Sequence, residues 1–220
     1  MQISEEMVRE IIKQVLQQTP TGKGPSSQDD QGAVLSFKEL GAAKVGTDRN
    51  EVVVGVPPAF GTVMTKTIIN IPHRDVLREL FAGIEEEGLK PRLVRVDRTA
   101  DVGAIAHDAA ILSGSGIGIG ILCRGTAVIH QRDLEILQNL ELFPQCPLVD
   151  RDVLRAIGRN AAKYAKGEHP SPVPTRSDPM ARPKYQGLAA LLHNKETQHV
   201  KLGAPSMELC PAVAGSRSMN

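Results

Sequence analysis

Residues Leu112–Leu122 read Leu-Ser-Gly-Ser-Gly-Ile-Gly-Ile-Gly-Ile-Leu. In a β-strand, successive side chains point to opposite faces. Ile117, Ile119 and Ile121 then form one apolar face, while Gly116, Gly118 and Gly120 leave the other bare. Glycine weakens a strand, so a bare face of this length implies that something approaches the backbone closely. A tightly packed helix meets that need, and so does a large planar ligand.

Working outward, Glu51–Val56 (EVVVGV) is a buried strand that Pro57-Pro58 ends, and Arg92–Val96 and Thr126–Ile129 are further short strands. Helices fall between them. One starts at His73, carries Val76, Leu77, Leu80, Phe81 and Ile84 on a single face, and closes at Gly88. Another runs from Asp101 to Leu112. Leu148-Val149 is a last strand candidate. After it, Asp150 or Asp152 caps a helix whose stripe is Val153, Leu154, Ile157, Ala161 and Tyr164, ending at Gly167. This alternation predicts an α/β domain over residues 35–200, three-layered and Rossmann-like, with a mixed, largely parallel sheet.

The flanks differ in composition. Ile3, Met7, Ile11, Val15 and Leu16 place an apolar stripe on an amphipathic helix over residues 1–18, with Ser4 as its cap and Thr19-Pro20 as its stop. Residues 19–34 are rich in Pro, Gly, Ser and Asp and read as a flexible linker, some 15 residues spanning on the order of 20 Å. A lone helix of this length is marginal in water, so the stripe needs a partner groove. Past Gly167, proline at every second position (Pro170, Pro172, Pro174) favours an extended arm over 168–185, and 201–220 reads as a poorly ordered tail.

Composition excludes several functions. The net charge is +1 and aromatics are 3% of the chain with no Trp, so neither a nucleic-acid surface nor a base-stacking platform is expected. Three widely spaced cysteines (Cys123, Cys146, Cys210) fit neither a disulfide framework nor a zinc site and suit a reducing cytoplasm. No signal-like or membrane-spanning apolar run is seen. Gly22-Lys23-Gly24 lacks the context of a phosphate loop, and no His-Glu-x-x-His, Cys-x-x-Cys or Gly-x-Ser-x-Gly occurs. His130 reads as a hydrogen-bonding residue at a strand end, and Glu85-Glu86-Glu87 as a solvated helix end. A self-contained active site is not expected.

Several long stretches are distinctive: Val56–Phe60 (VPPAF), Ile71–His73 (IPH), Ala82–Leu89 (AGIEEEGL), Leu112–Ile121, Gly125–Gln131 (GTAVIHQ), Asn139–Pro144 (NLELFP), Ile157–Lys166 (IGRNAAKYAK) and Met180–Tyr185 (MARPKY). Through them, residues 50–200 resemble the medium (β) subunit of coenzyme B12 (adenosylcobalamin)-dependent diol and glycerol dehydratases. The resemblance implies an (αβγ)2 complex with large and small subunits, in which the large subunit does the radical chemistry. The medium subunit then covers the lower side of adenosylcobalamin bound base-on, and is inactive alone as part of a hydro-lyase. No Asp-x-His-x-x-Gly motif of base-off enzymes is present. By matching motifs, the cofactor contacts fall on Asp101, Arg124, Leu137, Pro144, Arg182 and Tyr185, with no metal ligand and no catalytic residue in this chain. Arg124 stands where the family usually has Lys, Cys123 where Ser is common, and residues 132–138 depart from the usual loop.

Residues 1–34 resemble the extension of diol dehydratases packaged in bacterial microcompartments. That implies 1,2-propanediol as substrate, shell or cargo proteins as partners of residues 1–18, and a reactivating factor acting on the complex. The alternatives are a glycerol dehydratase medium subunit and the small subunit of a reactivating factor, which is not expected to carry Met180–Tyr185.

Overall fold

Val52, Val53, Val54 and Val56 have no exposed surface, so the strand that bears them must be covered on both faces. In the computed structural model, which describes residues 34–174 and 176–211, this strand lies at the centre of a seven-stranded sheet. In chain order the elements are β1 (Phe37–Ala42), β2 (Glu51–Val56), α1 (His73–Glu86), β3 (Lys90–Arg95), α2 (Val102–Leu112), β4 (Ile117–Ile121), β5 (Ala127–Gln131) and β6 (Glu141–Phe143). A short 3-10 turn (Cys146–Leu148), α3 (Arg151–Ala165), α4 (Ala181–Thr197) and β7 (Met207–Pro211) follow. The strands lie in the order β1-β7-β3-β2-β4-β5-β6.

The α/β class and the mixed sheet agree with the sequence. Parallel pairing is confined to β2 with β3 and β2 with β4, and the outer strands are antiparallel. Val52, Val54 and Val56 join Ile117, Ile119 and Ile121 under α1 and α3. Val53, Val94 and Val96 meet Ile105 and Ala109 of α2 on the other face. Each such Val or Ile side chain, fully buried, contributes about 1.5–3 kcal/mol.

The glycine face of β4 is met by a helix. A Cβ on Gly118 would stand 2.3 Å from the Ala110 amide nitrogen, and one on Gly120 would stand 2.6 Å from that of Ala106. Gly55 of β2 is similarly crowded by Ile105, at 2.9 Å. α2 thus lies in backbone contact with the sheet. On the opposite face α1 and α3 cross at Gly83 and Gly158, where a Cβ would come within 2.2 Å of the Arg155 carbonyl and 2.3 Å of the Leu80 carbonyl. Glu86 and Glu87 pair with Arg155 and Lys166 across this crossing, at 2.6 and 2.7 Å. These exposed pairs are worth no more than about 1 kcal/mol each.

Four elements depart from the sequence reading. The tail assigned to 201–220 contains β7, which is inserted between β1 and β3. Leu209 is buried there, and Glu208 receives the Arg92 guanidinium at 2.6 Å, which holds the strand despite its Pro- and Gly-rich surroundings. β1 was hidden because FKELGA alternates poorly and has only one neighbour, with a register irregularity between Glu39 and Gly41. The last part of the 168–185 arm is helical, since α4 begins at Ala181 and Pro183 is tolerated in its first turn. Leu148-Val149 forms no strand: Leu148 closes the 3-10 turn that Pro147 initiates. The helix assigned to residues 1–18 lies outside the described residues.

Replacing Gly118 by Val drives a branched side chain into the α2 backbone. The substitution is expected to cost about 3 kcal/mol or more, read as a lowered urea midpoint, whereas Gly187→Ala, where a Cβ meets open space on a helix, should be far milder.

Candidate functional site

Parallel pairing of Gly55 with both Val94 and Gly120 brings the carboxyl ends of β2, β3 and β4 to one edge of the sheet. Ligands of open α/β sheets bind outside this edge. The chain leaving β3 reaches Asp101, which caps α2 by accepting the Ala104 N–H at 2.8 Å. The chain leaving β4 turns through Leu122–Thr126, which contains Arg124. The pairs Ile121–Ala127 and Ala127–Phe143 bring Pro144, just past β6, to the same edge. Asp101, Arg124 and Pro144 are therefore gathered by sheet register alone.

Leu137 belongs to the 132–140 loop and is 90% exposed. The neighbouring Ile136 carbonyl rests on Gly103, where a Cβ would stand 2.9 Å away, so the loop is seated at the start of α2 beside Asp101. Tyr185 lies across an open pocket of about 430 Å³ from Pro144, Gln145, Cys146 and Pro147. Lys184 places its ammonium 5.3 Å from the centre of the Tyr185 ring. Arg182 is in the first turn of α4, and its side chain lies outside the described residues.

The Arg124 turn is held from several sides. Gly125 takes φ +105°, and the Leu122 N–H donates to the Thr126 carbonyl at 2.9 Å. The Arg124 Nε donates to Thr126 Oγ1 at 3.1 Å, and the Arg124 carbonyl accepts from the Ile68 N–H at 3.2 Å. Two buried side chains grip the preceding residue. His73 accepts the Gly61 N–H on Nδ1 at 2.9 Å, so its Nε2 carries the proton and donates to the Cys123 carbonyl at 2.8 Å. Its ring stacks on Phe60 with centroids 3.8 Å apart. Glu196, from the last turn of α4, accepts the Cys123 N–H on Oε1 at 2.7 Å.

Sequence reasoning missed both residues. His73 carried a trace of a signal, as the end of the Ile71–His73 stretch. Glu196 carried only its place on the inward side of a helix that was itself unread.

Burial pushes the His73 pKa down to about 4, and burial with the nearby Glu196 charge pushes the Cys123 thiol far up, so that thiol is no nucleophile. No cluster of three His, Cys, Asp or Glu with metal-holding geometry occurs among the described residues, and no described helix is long and apolar enough to cross a membrane.

The described residues thus form an α/β domain whose open strand edge gathers Asp101, Arg124 and Pro144. The family model "Dehydratase medium subunit" matches residues 57–171, and the chain belongs to that family. It is thus one subunit of a dehydratase, a lyase built with other subunits. The match includes Asp101, Arg124, Leu137 and Pro144 and stops before α4. Among solved structures, the chain is similar to a "Glycerol dehydratase reactivase" at 24% identity and TM-score 0.45, covering 54% of this chain and 94% of that one. It is also similar to a diol dehydratase-reactivating factor complexed with ADP and Mg2+, at 26% identity and TM-score 0.41, covering 58% and 97%.

The depressed His73 pKa has a definite sign. The unfolded chain binds a proton near pH 6.5 and the folded chain only near 4, so this contribution is complete above pH 6.5 and is lost as pH falls toward 4. Between pH 7 and 4.5 the wild type should lose about 2 kcal/mol through this group. Urea unfolding at both pH values, wild type against His73→Gln, should show the smaller pH effect in the variant.

Proposed function

We propose that this chain is the medium subunit of an adenosylcobalamin-dependent diol dehydratase, and that its carboxyl strand edge covers the lower face of base-on cobalamin at the boundary with the large subunit. The observation that carries this reading is the convergence of Asp101, Arg124 and Pro144 on one edge, with Leu137 exposed beside Asp101. A corrin is broad and flat, with amides around its rim and a nucleotide phosphate below. It calls for scattered polar groups around apolar cover.

The residues present fit that demand. Asp101 spends one carboxylate oxygen on Ala104 and keeps the other for an amide donor. Arg124 spends Nε on Thr126, and its terminal nitrogens have no partner among the described residues. Pro144 and Tyr185 bound the apolar side of the pocket. Base-on binding asks for no histidine from this chain, and His73 has both ring nitrogens engaged. Bound adenosylcobalamin supplies the cobalt–carbon bond whose homolysis starts the radical conversion of 1,2-propanediol to propionaldehyde and water. The residues here bind and orient it, within an (αβγ)2 complex served by a reactivating factor.

Replacing Arg124 or Arg182 by Ala should raise the adenosylcobalamin concentration for half-maximal activity about ten- to a hundredfold, because a hydrogen bond from a charged donor is worth roughly 1.5–3 kcal/mol. Turnover at saturating cofactor should stay within a few fold. Activity of the reconstituted complex against cofactor concentration decides it, and an unchanged concentration dependence in both variants would refute the assignment.

Residues 1–18 are proposed to direct the complex into a microcompartment through their Ile3, Met7, Ile11 and Val15 stripe. Deleting them should leave kcat nearly unchanged and abolish co-sedimentation with shell proteins. A truncated complex that loses activity counts against this role.

A further inference from the structure

We infer that Glu196 is the positioning residue for Arg124: from the far end of α4 it holds the Cys123 amide, fixing the turn from which Arg124 reaches the ligand edge. This rests on the reading of Arg124 as a cofactor contact and adds a residue that this reading did not contain.

The first reason is how Cys123 is bound. In a short hairpin turn, neighbouring main-chain groups ordinarily satisfy one another. Here the Cys123 N–H is taken by the Glu196 carboxylate at 2.7 Å and its C=O by the His73 ring at 2.8 Å. Two side chains from two different helices therefore bracket one residue, directly before Arg124. The Arg124 carbonyl and Nε are held as well, by Ile68 and Thr126. Both the backbone and the aim of Arg124 are thus determined.

The second reason is the cost of the arrangement. Glu196 is fully buried. A carboxylate removed from water loses several kcal/mol of hydration, and an apolar residue of similar volume would fill the space at less cost. Its remaining contacts among the described residues are the Cys123 thiol and, on the other oxygen, His193 Nδ1 at 3.4 Å, at the long limit of a hydrogen bond. The short charge-assisted bond to Cys123 is the strong contact this carboxylate makes. A device for packing alone would not need a charge here, and a device for stiffening one peptide would.

The third reason is the path of α4. One end of the helix carries Arg182 and Tyr185, and the other end carries Glu196. A single rigid element therefore bears two candidate contacts and anchors a third, fixing the spacing of all three.

The test uses reconstituted complex with Glu196→Ala, Glu196→Asp, Glu196→Gln, Arg124→Ala and the double variant Arg124→Ala/Glu196→Ala. Two properties are read: the adenosylcobalamin concentration for half-maximal activity alongside kcat, and hydrogen exchange at the Cys123 amide in cofactor-free complex. Glu196→Ala should raise the half-saturating concentration about tenfold, leave kcat within a few fold and speed Cys123 exchange. Glu196→Asp, which withdraws the oxygen by one methylene, should behave alike and carries the test should the Ala variant not assemble. Glu196→Gln keeps an acceptor oxygen without the charge and should fall between wild type and Glu196→Ala in both readouts.

In the Arg124→Ala background the Glu196→Ala effect on cofactor dependence should vanish, since the two act as one unit. An undiminished effect in that background overturns the inference. So does unchanged cofactor dependence or unchanged exchange in Glu196→Ala and Glu196→Asp while Arg124→Ala alone shows its effect. Unchanged cofactor dependence in Arg124→Ala overturns the cofactor reading itself and removes the positioning role with it.

Discussion

The contact of α2 with the bare side of β4 sets most of the architecture. With Gly118 and Gly120 facing it, the helix backbone settles onto the strand backbone, and no side chain separates the two. Interiors are packed too densely to hold such a contact loosely, so the helix has little freedom to slide or tilt. Its first turn is consequently fixed against the carboxyl edge. Asp101 as its cap, and the 132–140 loop resting on Gly103, inherit that fixity. A strand with ordinary side chains would lift the helix away and carry both off the edge.

The edge is built by two unlike means. Asp101, Arg124 and Pro144 arrive by sheet register, which depends on the buried Val and Ile faces. Tyr185 arrives on α4, which has much weaker apolar attachment: Leu188 and Leu191 point outward, with Leu191 67% exposed. Polar anchoring compensates. The buried Glu196 carboxylate ties the end of α4 to the β4–β5 turn with a bond whose direction is fixed, which apolar contact does not provide.

Legibility in the sequence followed the strength of the local pattern. The Val-rich β2, the Ile/Gly alternation of β4 and the stripes of α1 and α3 each satisfy one periodicity, and the structure has all four. The closeness of something to the glycine face was readable, but its identity was not, since a helix and a flat ligand make the same demand on Cβ atoms. β1 and β7 were unreadable because each depends on the other, 165 to 174 positions away by their pairings, and not on its own pattern. α4 escaped notice because apolar residues lie on all its sides and a proline run precedes it. For the candidate site, Asp101, Arg124, Leu137 and Pro144 were nameable as proposals from motifs. His73 and Glu196 were not, because their role lies in holding another residue's main chain.

The position of β7 has a consequence for how the protein is made. β1 is made before every other strand of the sheet, yet its neighbour is Met207–Pro211, and β7 is also the strand that covers the flank of β3. Until synthesis passes Pro211, the nascent β1 has no partner, and β3 offers an open row of amides and carbonyls that invites pairing with other chains. Domains tend to fold as units once their last element is available. Here that element is the last strand of the sheet to be made, so the sheet cannot close until it has emerged. A chain stopped short of β7 also lacks Glu208, leaving the Arg92 guanidinium without its main counter-charge. Such a fragment presents an open sheet edge, a feature by which the cell's chaperones and proteases can tell it from the finished subunit.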